Sequence, residues 1–349
     1  MTVTGDVIST TDLRKSFPAR GMAAKGRTVE AVRGVSIGVS RGEIFGFLGP
    51  NGAGKTTTLR MLTTLLPIDS GSATVAGFDV ARQPQQVRTR IGYVSQLGGA
   101  DELATGRENL LLQGRLYGAS KARVQPRADA LARLLDLAEF ADRRVSTYSG
   151  GQRRRLDIAL SLVHEPAVLF LDEPTTGLDP QSRANLWGHI RGLRETGTTV
   201  FLTTHYLEEA DALCDRLMIM DRGLIVAEGT PRELKQQVAG DAILISLRPG
   251  GQGTERAVPV LGQEPYVREL SGDDGQLRLY VDDGGTALPQ LIRRLDQAGI
   301  AVRSISMSEP TLDDVFLRQT GRSLREDRAE ATDATGPDVA RSRQKEVAR

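Results

Sequence analysis

The most specific chemistry in the chain lies in Gly49-Pro50-Asn51-Gly52-Ala53-Gly54-Lys55-Thr56, a match to G-x-x-x-x-G-K-[ST]. The run Ile44-Phe45-Gly46-Phe47-Leu48 before it reads as a short buried strand. Leu59, Leu62, Leu65 and Leu66 after it fall at helical spacing until Pro67 stops the pattern. Glycines in such a loop let backbone N–H groups turn inward onto phosphate oxygens, and the helix N-terminus adds its positive dipole end. Lys55 is then placed to reach the β- and γ-phosphates, and the Thr56 hydroxyl to take a Mg2+ position. Thr57, next in line, joins the nucleotide-binding set.

Further candidates stand in a fixed order along the chain. Ala167-Val168-Leu169-Phe170-Leu171 reads as a central parallel strand buried on both faces, and it ends in Asp172-Glu173. Two carboxylates at a strand's C-terminal end lie where open α/β sheets bind ligands. Asp172 would hold Mg2+, directly or through water, and Glu173 would polarise the water that attacks the γ-phosphate. The alternative is an acidic pair that only caps the strand. Gln96 follows the strand at 91–94 and can reach the metal or the attacking water; a surface glutamine explains it equally well. Of the three histidines only His205 sits just past a buried strand end, within reach of the γ-phosphate or Glu173. His164 and His189 fall on helical patterns.

Ser149-Gly150-Gly151-Gln152 opens a basic amphipathic helix over 153–163 and offers a second anion site at a helix N-terminus. Most of the charge of Arg153, Arg154 and Arg155 on that helix reads as a solvated face. Asp179 is the N-cap of a helix with Pro180 at its first position. Phe17, before a basic loop at 20–27, could stack on a nucleotide base or pack under the loop.

These residues need a scaffold. Half-exposed antiparallel strands are expected at 7–10 and 31–39. Residues 97–160 form an inserted helical subdomain, with a capping box at Thr105-Gly106-Arg107-Glu108 and a kink or late helix start at Pro126. Residues 1–240 make the catalytic domain. Residues 241–320 make a small α+β domain, with strands near 243–247, 267–270, 277–281 and 302–306, a helix at 287–298 and a short one at 311–317. Residues 321–349 lack aromatics and read as a disordered tail. At 349 residues two cores are affordable, and a net charge of +1 gives no field that would suggest nucleic acid as the main partner. The single cysteine, Cys214, agrees with a reducing compartment, and no apolar run approaches the ~20 residues needed to cross a bilayer. With no signal-peptide pattern at the start, a cytoplasmic protein is expected.

In this order the phosphate loop, Gln96, Ser149-Gly150-Gly151-Gln152, Asp172-Glu173 and His205 resemble the nucleotide-binding subunit of ABC transporters over about 7–240. The ending Glu309-Pro310-Thr311-Leu312-Asp313-Asp314-Val315-Phe316-Leu317 resembles the daunorubicin-resistance type of that subunit, which pairs with a separate membrane permease and exports drugs or other hydrophobic natural products. Tyr148 stands where the signature usually opens with leucine, a variation seen in this subgroup. The resemblance implies an α/β P-loop NTPase core with an antiparallel β subdomain. It implies ATP and Mg2+ as ligands, and attachment to the inner face of the cell membrane through the permease. Phe17 would be the base-stacking aromatic and Gln96 the loop that touches the membrane subunit. Ser149 and Gly151 would contact the γ-phosphate held by a second copy of the chain in an ATP-dependent dimer, with Asp179 at the same interface. A rival is a soluble ABC-type ATPase acting on DNA or ribosomes. The first would need a long coiled coil between Gln96 and Ser149, the second two cassettes in one chain; this chain has neither. A nucleotide kinase or GTPase has no use for Ser-Gly-Gly-Gln.

Overall fold

The structure, a computed structural model, describes residues 5–18, 28–237, 240–248, 253–273, 275–308, 310–321 and 323. The basic loop read at 20–27 and most of the stretch read as a tail lie outside the described residues. Two compact units are present, one reaching Pro231 and one spanning Arg232–Ser323.

The first unit opens with β1 (Asp6–Pro18), β2 (Thr28–Val35) and β3 (Gly38–Ser40), followed by β4 (Ile44–Leu48), α1 (Lys55–Leu62), β5 (Ser70–Val75) and β6 (Phe78–Asp79). Strands β2-β1-β5-β6 pair antiparallel in that order, with β3 on β1. β1 is far longer than its short alternating stretch predicts. It carries register shifts against all three partners, so strict alternation breaks while pairing continues.

Next come α2 (Pro84–Arg90), β7 (Ile91–Val94), α3 (Gly106–Leu116), α4 (Lys121–Leu134), α5 (Gly150–Leu162), β8 (Val168–Asp172), α6 (Pro180–Glu195), β9 (Thr199–Thr204), α7 (Leu207–Leu213), β10 (Arg216–Asp221) and β11 (Leu224–Gly229). The second sheet runs β11-β10-β4-β9-β8-β7, parallel except for the edge hairpin β10–β11. β4 and β8 are buried at every position, as continuous apolar runs in a covered parallel sheet require. Phe45, Phe47, Phe170 and Phe201 cluster at its centre, and the two sheets share one core with Leu59, Met61 and Leu62 of α1.

The helical insert does not start late at Pro126, one of the two outcomes expected there. α4 starts at Lys121 and carries this proline inside it, because burial of Val124, Ala128, Leu131 and Ala132 offsets the backbone bond that proline cannot make. Both reciprocal caps here are formed, Thr105 with Glu108 and Ser149 with Gln152.

After α8 (Pro231–Gln237), the second unit contains β12 (Asp241–Leu247), α9 (Gly253–Leu261), β13 (Val267–Asp273), β14 (Gln276–Val281), α10 (Gly284–Gln297), β15 (Val302–Ser308) and α11 (Leu312–Thr320). Its antiparallel sheet has the order β13-β14-β12-β15, a βαββαβ split pattern. α9 and α10 cover one face through Ala257, Leu261, Leu291 and Leu295. α9 was not anticipated. Ser323, within the stretch read as tail, is buried, and its hydroxyl donates to both oxygens of Asp313 at 3.0 and 2.9 Å.

Candidate active site

The loop between β4 and α1 lies tightly against its surroundings, and two glycines make that possible. Gly54 has φ +108°, and a Cβ there would stand 2.3 Å from the Ala31 carbonyl; at Gly49 it would stand 2.2 Å from that of Met220. Lys55 opens α1 and is 4% exposed. Its Nζ donates to the Gly49 and Pro50 carbonyls at 2.7 and 3.0 Å and stands 3.6 Å from Glu173 Oε1. Burial lowers the Lys55 pKa and the nearby Glu173 carboxylate works against that. An anion with several oxygens entering this loop would relieve both the buried charge and the carbonyl contacts.

The end of β8 supplies the carboxylates. Asp172 Oδ1 accepts from Thr56 Oγ1 at 3.0 Å and from Thr203 Oγ1, on the neighbouring β9, at 2.7 Å. Glu173 is left-handed, with φ +45°, a conformation uncommon for a residue with a side chain. It is held there because its N–H donates to both the carbonyl and the hydroxyl of Thr203, each at 3.1 Å. Its Oε2 lies 3.2 Å from His205 Nδ1, a close approach without hydrogen-bond alignment. Burial works to raise the Glu173 pKa, but His205 and Lys55 outweigh it, and the carboxyl is held below its usual value.

An open cavity of about 370 Å3 is lined by Ala31, the loop from Asn51 to Thr57, Gln96 and Glu173. The donor set beside it is hydroxyl and carboxylate oxygen from Thr56 and Asp172. Among the described residues no group of three or more His, Cys, Asp or Glu stands together as a metal cage. Two hard oxygen donors next to a phosphate loop fit a Mg2+ ion that takes its other ligands from phosphate and water.

Several predicted residues lie elsewhere. Ser149, Gly150, Gly151 and Gln152 begin α5 and do not line this cavity. Ser149 Oγ accepts from the Gln152 N–H at 3.2 Å, and Gln152 Oε1 accepts from the Ser149 N–H at 2.9 Å. Gly150 and Gly151, as the first residues of the helix, have no intrahelical acceptor for their N–H groups. Asp179 caps α6 by accepting from the Ser182 N–H and hydroxyl at 2.8 and 2.6 Å, bonds that lower its pKa. A Cβ on Gly151 would stand 3.1 Å from Ser182 Oγ, so the two turns pack together within one chain. Phe17 is exposed at the end of β1, with Lys15 Nζ 5.6 Å from its ring centre, and is not among the cavity's lining residues.

Two residues here escaped the sequence. Thr203 bonds Asp172 and Glu173 together yet looks like an ordinary strand threonine. The arginines read as a solvated face divide: Arg154 is buried and donates to three backbone carbonyls. Helical spacing with the buried Ile158 and Ser161 was the available signal.

Among the described residues no helix is long and apolar enough to cross a membrane. The ABC transporter family pattern matches residues 32–176, and that of the DrrA1-3-like ATP-binding protein C-terminal domain matches 229–320. The chain is 47% identical over 308 residues to the daunorubicin resistance ATP-binding protein DrrA2 of Streptomyces coeruleorubidus, covering 87% of this chain and 94% of that one. It is 44% identical over 299 residues to the doxorubicin resistance ATP-binding protein DrrA of Mycobacterium tuberculosis, covering 85% and 90%. The linearmycin resistance ATP-binding protein LnrL of Bacillus subtilis is 36% identical, covering 84% and 95%. Among solved structures, an ATP-binding cassette of an ABC transporter in its ADP conformation has a TM-score of 0.57 at 25% identity, covering 67% of this chain and 95% of that chain. A dimeric bacterial ABC transporter cassette has a TM-score of 0.57 at 24% identity, covering 64% and 98%, a likeness of fold.

Proposed function

Since this chain belongs to the daunorubicin-resistance family of ABC-transporter ATP-binding subunits, we propose that its ATP hydrolysis drives export of a drug or other hydrophobic natural product through a separate membrane permease. The observation that carries the site assignment is the convergence of Lys55, Thr56, Gln96 and Glu173 on one cavity, with Asp172 bonded to Thr56 at its edge. Lys55 binds the β- and γ-phosphates, leaving the carbonyls that it now holds. Thr56 and Asp172 would hold Mg2+, with Gln96 beside them, and the ion would supply positive charge to the bound phosphates. Glu173, ionised at neutral pH, takes up the proton of the attacking water, and His205 orients that carboxylate and reaches toward the γ-phosphate. Phe17 stacks on the base.

Ser149, Gly150, Gly151 and Asp179 are not among the residues that line the cavity. Their phosphate-binding groups are used when a second copy of the chain brings them over the first copy's nucleotide, giving an ATP-dependent dimer. The permease contacts the chain near Gln96. Leu97 and Leu103 are exposed in the following loop, and the exposed Leu112 and Leu116 share one face of α3. Bound in this way, the chain sits at the cytoplasmic face of the membrane. The relatives are named for resistance to daunorubicin, doxorubicin and linearmycin, and the cargo proposed here is a compound of that kind.

Lys55→Ala tests the site. Loss of a preorganised cation in a water-poor site lowers turnover by about 10²–10³-fold. Steady-state phosphate release near the wild-type rate from the folded variant would overturn the assignment.

A further inference from the structure

Helix α5 carries two buried charged side chains that the nucleotide site as described does not use. Arg154 and Asp157 are each 7% exposed and, three residues apart, share one face of the helix. Arg154 donates from Nη1 to the Ser95 carbonyl at 2.5 Å, from Nε to that of Pro174 at 2.8 Å, and from Nη2 to that of Asp172 at 3.0 Å. The first carbonyl immediately precedes Gln96. The other two flank Glu173. Asp157 Oδ1 accepts from the Gly99 and Ala100 N–H groups at 3.0 and 3.3 Å, on the far side of the Gln96 turn. The fit is close: a Cβ on Gly98 would stand 2.6 Å from Asp157 Oδ2.

A guanidinium is suited to this task because its planar fork presents five N–H donors in fixed directions, so one group can hold three carbonyls from two strand ends. Removing a cation from water to bind carbonyls is costly, and a buried charge of this kind is weak evidence for stability as its purpose. What the arrangement provides is mechanical. The helix that begins with Ser149-Gly150-Gly151 is fastened to both sides of the Gln96 turn and to the backbone on both sides of Glu173.

We propose that Arg154 is a positioning residue for ATP hydrolysis, and that with Asp157 it clasps the Gln96 turn and the Glu173 backbone to the signature helix. A displacement of Ser149–Gly151, as when a partner's nucleotide engages them, then moves Gln96 and Glu173 together. The proposal rests on the roles given above to Glu173 and Gln96. It differs from them in placing control of that carboxylate in a residue that touches neither phosphate nor water.

The test uses the full chain with Arg154→Gln, Arg154→Lys and Asp157→Ala. Arg154→Gln is expected to lower kcat by about 10²-fold, the effect of a misplacement on the order of 1 Å. Equilibrium affinity for a ribose-labelled fluorescent ATP should stay within about threefold, since no ligand contact is lost. Arg154→Lys keeps the charge but not the fork, and should lose about tenfold; it serves where the glutamine variant does not fold. Asp157→Ala should speed amide exchange at Gly99 and Ala100 by at least about tenfold. In a Glu173→Gln, Gln96→Ala background, Arg154→Gln should cause no further loss in single-turnover hydrolysis, because it acts through those two side chains. Turnover within twofold of wild type for Arg154→Gln, or a multiplicative loss on top of Glu173→Gln and Gln96→Ala together, would overturn the proposal. Wild-type turnover in Glu173→Gln alone would instead sink the role given to Glu173. The clasp would then stand or fall on exchange at Gly99 and Ala100.

Discussion

Thr203→Val removes one hydroxyl that the structure ties to both carboxylates. Thr203 is fully buried on β9. Its Oγ1 donates to Asp172 Oδ1 at 2.7 Å and accepts from the Glu173 N–H at 3.1 Å. Valine has nearly the same shape, so no cavity opens. Asp172 Oδ1 keeps the 3.0 Å bond from Thr56, and Glu173 keeps the bond to the Thr203 carbonyl. The loss is therefore one charge-assisted bond, about 1.5–3 kcal/mol, with the Glu173 N–H still satisfied. At about 2–4 °C per kcal/mol for a unit of this size, Tm of the first unit should fall by roughly 3–12 °C. Asp172 and the strained Glu173 both lose definition, so kcat should fall by about 10–100-fold while ATP affinity changes little. Calorimetry and a phosphate-release assay measure the two effects, and Thr203→Ser should restore most of kcat. A variant with Tm within about 1 °C and kcat within twofold of wild type would refute the argument that this hydroxyl organises the site.

Two further outcomes follow from the burial of polar groups. Burial lowers the pKa of His164 and of His189, so as pH falls below about 6.5 the unfolded chain takes up protons first. Their contribution is intact above that value and is lost as pH falls toward the depressed folded values. A Tm series from pH 8 to 5.5 should decline at the acid end, and less steeply in His164→Phe, which keeps the ring stack on Tyr117. In the second unit, Ser323→Ala removes two contacts to the buried Asp313 and should cost about 1.5 kcal/mol by chemical denaturation, as should ending the chain at Gly321. An unchanged midpoint in both would show that Ser323 is not part of that unit's packing.

The phosphate loop and the Asp172-Glu173 strand end were legible because their chemistry demands particular residues at fixed spacing, and the flanking apolar runs give their context. The capping boxes at Thr105, Ser149 and Thr311 were readable in part, since the reciprocal bonds need only two side chains three residues apart. In the sequence the first reads as a box, the second as an anion site, and the third only as the start of a short helix. Thr203 and Arg154 were not legible as site residues. Their roles depend on which backbone groups the sheet brings beside them, and that is set by pairing of β8 with β9 and by packing of α5 across long sequence separations. α9 was missed because a glycine-rich lead-in and Pro259 mask its periodicity, although Ala257 and Leu261 pack into the core.

In the proposed dimer one nucleotide is enclosed by two copies of the chain, with Lys55 and Glu173 from one and Ser149 and Gly151 from the other. Glu173→Gln should bind ATP but lose about 10²–10⁴-fold in hydrolysis, the usual effect of removing a general base. Its ATP-bound form should accumulate. Multi-angle light scattering of this variant with saturating ATP and Mg2+ should give the mass of a dimer, and with ADP the mass of a monomer. A monomer with ATP, at concentrations where wild-type turnover rises with protein density, would contradict the shared site.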